Sequence, residues 1–399
     1  MNHMDTSLGN RLDQIRRYAL YAGAAGLIVW LLASAILGMR VALGAYLIGF
    51  LYVLGLSLGA LAILMLQHLT GGAWGRMIRR VLEASSRVLP LVTLLALPVL
   101  LGMRALYIWT QADVVAGDEV LASKGWYLNV PGFVVRTVVY FAVWLALVFL
   151  LNRWAREQER TPYSQQSNWL RSLSGPGLVL YGLTMTFAAF DWAMSLEPHW
   201  FSTIYGVLFL IGQANNAFAF AVGVTLLLAW WRGVSETLSR DTLADLGNLM
   251  LAFIMLWAYI AFSQFLIIWS GNLPEEIPWY LARLRGGWGV LALLLVIFHF
   301  AVPFALLLQA EVKRNPRTLA GLAALVLIVR AVDLVWTVAP SFSTHGHHDG
   351  IWVALLAPVA IAGLGGLWLW QFVQQLRSRS LLPYPEETAH SLDASAEVA

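Results

Sequence analysis

Ten long apolar runs constrain this chain more than any other feature. They lie at 18–37, 41–66, 88–109, 132–151, 176–194, 204–230, 244–270, 287–310, 317–338 and 351–375. A helix needs about 20 apolar residues to cross about 30 Å of hydrocarbon, and only helices and closed barrels satisfy their backbone there. Barrel strands are short and alternate in polarity, whereas these runs are continuous. Only 12% of the 399 residues are charged, against about 25% in a soluble domain. The expected fold class is therefore all-α: a polytopic membrane protein of about ten transmembrane helices, with no nucleic-acid partner and with lipid around it. The first run lacks a small-residue cleavage site and is long enough to span, so it reads as a helix and not as a signal peptide.

The basic residues orient the bundle. Eighteen of the 25 Lys and Arg fall in the N-terminal segment, in alternate connections and after the last run; Arg76, Arg79, Arg80, Arg87, Arg153 and Arg156 are among them. Only Arg40, Lys124, Arg283 and Arg285 fall in the connections on the other side. Positive residues stay inside, so both termini are expected in the cytoplasm of a bacterial inner membrane. The chain divides into a cytoplasmic segment 1–17, a membrane domain 18–375 and a polar, flexible tail 376–399. Nine tryptophans near the outer ends of the runs (Trp109, Trp126, Trp192, Trp200, Trp269, Trp279, Trp288, Trp336 and Trp352) fit an interfacial aromatic belt.

The chain has no cysteine, which excludes disulfides, thiolate metal sites and an iron–sulfur cluster of its own. Ionisable groups inside the runs are few, and each needs a partner or a purpose. Arg330 and Asp333 are three apart and share a helix face; they form either a self-neutralising pair or part of a polar pathway. Arg104 near the outer end of the third run either snorkels outward or meets an acid on a neighbouring helix. His68 and His299 stand alone on apolar faces at different depths, which favours structural roles over paired haem ligation. Gln213, Asn215, Asn216 and Gln264 suit interhelical hydrogen bonding. The HGHHDG loop, with His345, His347 and His348, lacks a clear fourth ligand, so no metal is expected there.

Charge and aromaticity concentrate between the fifth and sixth runs, in FAAFDWAMSLEPHWFSTIYG (187–206), which carries Asp191, Glu197 and His199. Asp191 falls in the last turn of its helix, at the unfavourable end of the dipole. There it can serve either as a proton-exchanging carboxylate, with Arg104 as its neighbouring cation, or as a structural acid.

This stretch, followed by GQANNAFAFAV (212–222), resembles the signature of the ActF family, the smaller NrfD/polysulfide-reductase-type membrane subunits of bacterial alternative complex III. The local match is specific, and the ten runs and cytoplasmic termini agree with it. The resemblance implies two four-helix bundles, roughly 41–194 and 204–338, flanked by peripheral first and tenth helices. It implies a subunit of a respiratory quinol:electron-acceptor oxidoreductase that holds no redox cofactor itself. Haem c and iron–sulfur clusters are expected in partner subunits, beside a larger NrfD-like paralogue and in some cases a terminal oxidase. Quinol or quinone is the one cofactor-like ligand that could touch this chain. Asp191, Glu197 and His199 would then form an outer proton-exit or quinone-adjacent cluster, continued inward by Arg104, Arg330, Asp333, His299 and His68.

Two other classes stay open. A stand-alone proton-coupled secondary transporter would place ionisable groups at the midplane, which the sequence leaves nearly apolar. A quinol-binding anchor of another NrfD-type oxidoreductase fits the 187–206 stretch less well.

Overall fold

The computed structural model describes residues 3–160, 166–235, 238–343 and 349–379. All regular structure among them is helical, and ten helices are long and apolar enough to cross a membrane. They are α1 (Leu8–Leu37), α2 (Met39–Thr70), α3 (Ala73–Leu101), α4 (Val130–Glu157), α5 (Asn168–Leu196), α6 (Tyr205–Trp231), α7 (Arg240–Gly271), α8 (Gly287–Leu307), α9 (Pro316–Ser343) and α10 (Gly350–Arg377). The protein is an all-α polytopic membrane protein. The HGHHDG histidines lie outside the described residues.

Helix α2 is the axis of the fold: of its most apolar stretch, 94% is buried. It packs against α3, α5, α6 and α10, while α6 also packs against α5, α7 and α9. The α2–α6 seam is tight because Gly59 has no side chain; a Cβ there would sit 2.1 Å from the Gln213 carbonyl. Small residues at such crossings let backbones approach where hydrocarbon offers no hydrophobic drive. Helix α1 lies against α10 and α2 and is the least buried of the ten. The start of α1 and the end of α10 lie at one end of the bundle, where Asp13 pairs with Arg377. That end is called the terminal end below; the α5–α6 connection lies at the other, the turn end.

The helices run longer than several of the apolar runs, α1 starting at Leu8 inside the segment expected to precede it, and two depart further from the sequence reading. The third run was expected to start at 88, after a basic loop, but α3 starts at Ala73. Its first 14 residues are amphipathic and bury Glu83 completely. Arg79 Nε and Arg80 Nη1 donate to this carboxylate at 2.9 and 3.0 Å, and Arg379 Nη1 donates from beyond α10 at 2.8 Å. Arg79 and Arg80 sit four and three residues before Glu83, the spacing that puts them on its face once the stretch is helical. Pro90 and Pro98 then interrupt α3, and after Gly102 the chain runs on only as the short turns Met103–Leu106 and Ile108–Thr110.

In α8, residues Val296–Ala301 form a π-helical turn around His299. Pro303 explains its position. A proline ring clashes with the carbonyl four residues back, here that of His299, and one wider turn relieves the clash.

Candidate functional site

At the turn end, α5 closes with Asp191 in its last turn and the chain passes through Met194–Leu196 into the connection to α6. Asp191 is fully buried. Arg136, in the second turn of α4, donates to both its oxygens, Nε at 2.9 Å and Nη2 at 2.8 Å. Tyr140, one turn further along the same face, adds a third hydrogen bond at 2.7 Å. The ring of Tyr127 stacks on the Arg136 guanidinium at 3.9 Å. The carboxylate is held by three donors of α4, two of them in the bidentate geometry that gives arginine–carboxylate pairs their strength.

Arg104 is not its partner. The side chain of Arg104 is exposed, because the short turn Met103–Leu106 packs through Met103 and Leu106 and leaves Arg104 on its outer side. Its carbonyl accepts a hydrogen bond from Gln111 at 3.2 Å.

Glu197 and His199 turn to other elements again. Glu197 Oε1 accepts from Arg283 Nη2 at 2.8 Å and from Ser341 Oγ at 2.6 Å. Arg283 belongs to the short helix Ile277–Leu284 and is fully buried, although its position in the sequence suggested an outer loop. It also donates to the carbonyls of Thr337 and Trp279 and lies 3.7 Å from the Trp279 ring centre, which in turn stacks on Trp200 at 4.7 Å. His199 Nε2 lies 2.6 Å from Asp118 Oδ2, and Asp118 caps the turn Glu119–Ser123 by accepting from Val120 and Leu121. The Leu121 backbone bond first, then His199 and the Val120 backbone bond, hold the Asp118 carboxyl below the usual carboxylate range against its desolvation. Lys124 donates to the Pro198 carbonyl at 2.6 Å, and its partial burial draws its ammonium below the usual lysine range.

The three motif residues therefore do not share one site. Asp191 ties α5 to α4, Glu197 ties the turn to Ile277–Leu284 and α9, and His199 ties it to the α3–α4 connection. The belt reading needs the same correction for Trp109, Trp192, Trp200 and Trp279, which are buried in the packing; Trp126, Trp269 and Trp352 are exposed.

A second polar region lies at mid-depth. One turn of α6, Gly212 to Asn216, sends a group to each surrounding helix. Gly212 receives the Arg330 guanidinium of α9, which fills the space a Cβ would need: such an atom would lie 2.4 Å from Cζ. Gln213 accepts from Tyr181 of α5 at 2.8 Å. Asn215 Nδ2 lies 3.4 Å from His299 Nε2 of α8, and Asn216 faces Gly55 of α2. His299 stacks on Trp257 of α7 at 3.8 Å, and Arg330 pairs with Asp333 one turn along α9. Arg330, Asp333 and His299 all fall near the middle of their helices, so the midplane is more polar than the sequence implied.

Several of these buried groups have unused hydrogen-bonding capacity. Asn215 Oδ1, Asn216 Oδ1 and His299 Nδ1 have no hydrogen-bond partner among the described residues. Buried polar atoms are hydrogen-bonded in nearly all proteins, so these orphans are where water or a polar ligand would find partners. His68 belongs to neither region: it lies near the terminal end against Ser174, 3.2 Å from its Oγ. Among the described residues no group of three or more His, Cys, Asp or Glu could hold a metal ion.

The sequence matches no family model, and no curated protein matches it.

Proposed function

We propose that this chain is an integral subunit of a respiratory quinol:electron-acceptor oxidoreductase of the alternative complex III type, seated in a bacterial inner membrane with both termini in the cytoplasm. It holds no redox cofactor; its partners carry the haem c and iron–sulfur clusters. It contributes a rigid membrane scaffold and a proton path beside the place where quinol is oxidised. Support comes from the resemblance of 187–222 to that family and from the excess of arginine at the terminal end.

The single observation that carries the functional part is the mid-depth turn of α6, where Asn215 and Asn216, with His299 against Asn215, leave buried polar atoms without a protein partner. Water ordered on those atoms, next to the Arg330–Asp333 pair, supplies hydrogen-bonded steps for a proton. In this reading the turn end braces the fold and the middle conducts.

One observation favours a second reading. The Arg330–Asp333 pair beside His299 is also where a proton-coupled transporter would keep its coupling groups. Purification in mild detergent separates the two. Haem c and iron–sulfur subunits that elute with the chain in fixed ratio bear out the first reading; a monodisperse lone protein overturns it in favour of the second.

A further inference from the structure

At the terminal end a cavity of about 700 Å³ opens between α3, α4 and the end of α10. Its wall is of two kinds. Leu145, Val148 and Phe149 of α4 make an apolar groove, and Phe149 is 64% exposed toward the surrounding lipid. Arg87, Arg153 and Arg156 line the same cavity.

The basic groups are not all neutralised. Arg153 pairs with Glu157, which also lines the cavity, at 3.2 Å. Arg87 is only 9% exposed, yet its donors end on uncharged acceptors: the Glu83 carbonyl at 3.1 Å, Ser378 Oγ at 3.1 Å and the Gln375 carbonyl at 3.1 Å. The Glu83 carboxylate itself is taken by Arg79, Arg80 and Arg379. Arg156 makes no ion pair with a described residue. The cavity thus joins a surplus of positive charge to an apolar groove that faces hydrocarbon.

We propose that this cavity binds the phosphodiester headgroup of an anionic phospholipid, with an acyl chain along Leu145, Val148 and Phe149. A free phosphate would leave the groove unused, and a zwitterionic lipid would not answer the charge. Basic pockets at helix ends bind anionic headgroups through this combination. Bound there, the lipid bridges α3, α4 and α10, the helices that Arg87 and Arg379 already tie together. The site depends on the fold alone and stands whichever complex the chain joins.

The test is native mass spectrometry of the protein in mild detergent, with any subunits that co-purify. Phosphatidylglycerol, phosphatidylcholine of the same acyl chains and inorganic phosphate are titrated separately. One phosphatidylglycerol per chain should be retained in preference to phosphatidylcholine, and inorganic phosphate should not displace it. Arg153→Gln with Arg156→Gln, both near the surface, should weaken retention about tenfold or more. Leu145→Trp, which fills the groove and leaves the charges, should also lose the lipid. Equal retention of the two lipids, displacement by inorganic phosphate, or unchanged retention in both variants would overturn the assignment.

Discussion

Arg136 of α4 grips Asp191 of α5 through two nitrogens, 55 residues apart in sequence, and Tyr140 adds a third hydrogen bond to that carboxylate. The pair explains why an acid can sit fully buried at the end of an apolar helix. It also places Asp191 in a brace, because three hydrogen bonds from one face of α4 fix the carboxylate and tie α5 to that helix.

Breaking this pair by removing one partner should be costly. Arg136→Leu leaves the acid buried and unpaired, at an expected cost of about 3–5 kcal/mol. The yield of folded protein and its thermal midpoint should fall clearly. Arg136→Leu combined with Asp191→Leu should recover a large share of the loss, as a double-mutant cycle in detergent would measure. An additive cycle would show that the two side chains do not act on each other.

Much of this fold was legible in the sequence, and the reasons are physical. The bilayer demands long continuous apolar segments, so all ten helices can be read from the runs alone. Arg330 and Asp333 were legible as a pair because helix geometry sets neighbours three apart. Glu83 was not, because its nearest partners look like a basic loop and its third, Arg379, lies 296 residues away. Arg283 was hidden for a similar reason. Only the fold brings Glu197, Thr337 and Ser341 around it, although the WYLAR spacing, with Trp279 one turn before the arginine, was a usable sign of a buried cation on an aromatic face. The three motif residues 191, 197 and 199 are close in sequence, and that closeness suggested one cluster. The geometry sends each to a different element.

The fit of Arg330 against Gly212 makes a sharp packing prediction. Gly212→Ala would set a methyl group 2.4 Å from the guanidinium carbon, so the end of the Arg330 side chain must move and disturb its pairing with Asp333. Overpacking of this kind should cost about 1–3 kcal/mol. Gly223→Ala on the same helix, with a Cβ 3.5 Å from its nearest neighbour, should be nearly silent by the same thermal assay.

The Asp118–His199 contact should give the turn end a pH dependence. The Asp118 carboxyl is held low in the folded protein, so its contribution to stability is complete above the usual carboxylate pKa of about 3.9 and is lost as pH falls through the lower folded value. The gap in unfolding midpoint between the native protein and Asp118→Asn should therefore be steady from pH 6 to about pH 5 and should narrow on further acidification. A gap that widens toward low pH would contradict the assignment.

The division of labour between brace and path is tested most directly by counting protons released per quinol oxidised, with the native complex reconstituted in vesicles. Asn215→Leu removes a mid-depth polar group and keeps the helix. It should assemble normally and release fewer protons per quinol. Asp191→Asn should lower the amount of assembled complex and leave the proton count of what does assemble unchanged. The reverse pattern, a normal count in Asn215→Leu and a reduced one in well-assembled Asp191→Asn, would move the proton path to the turn end and contradict the account.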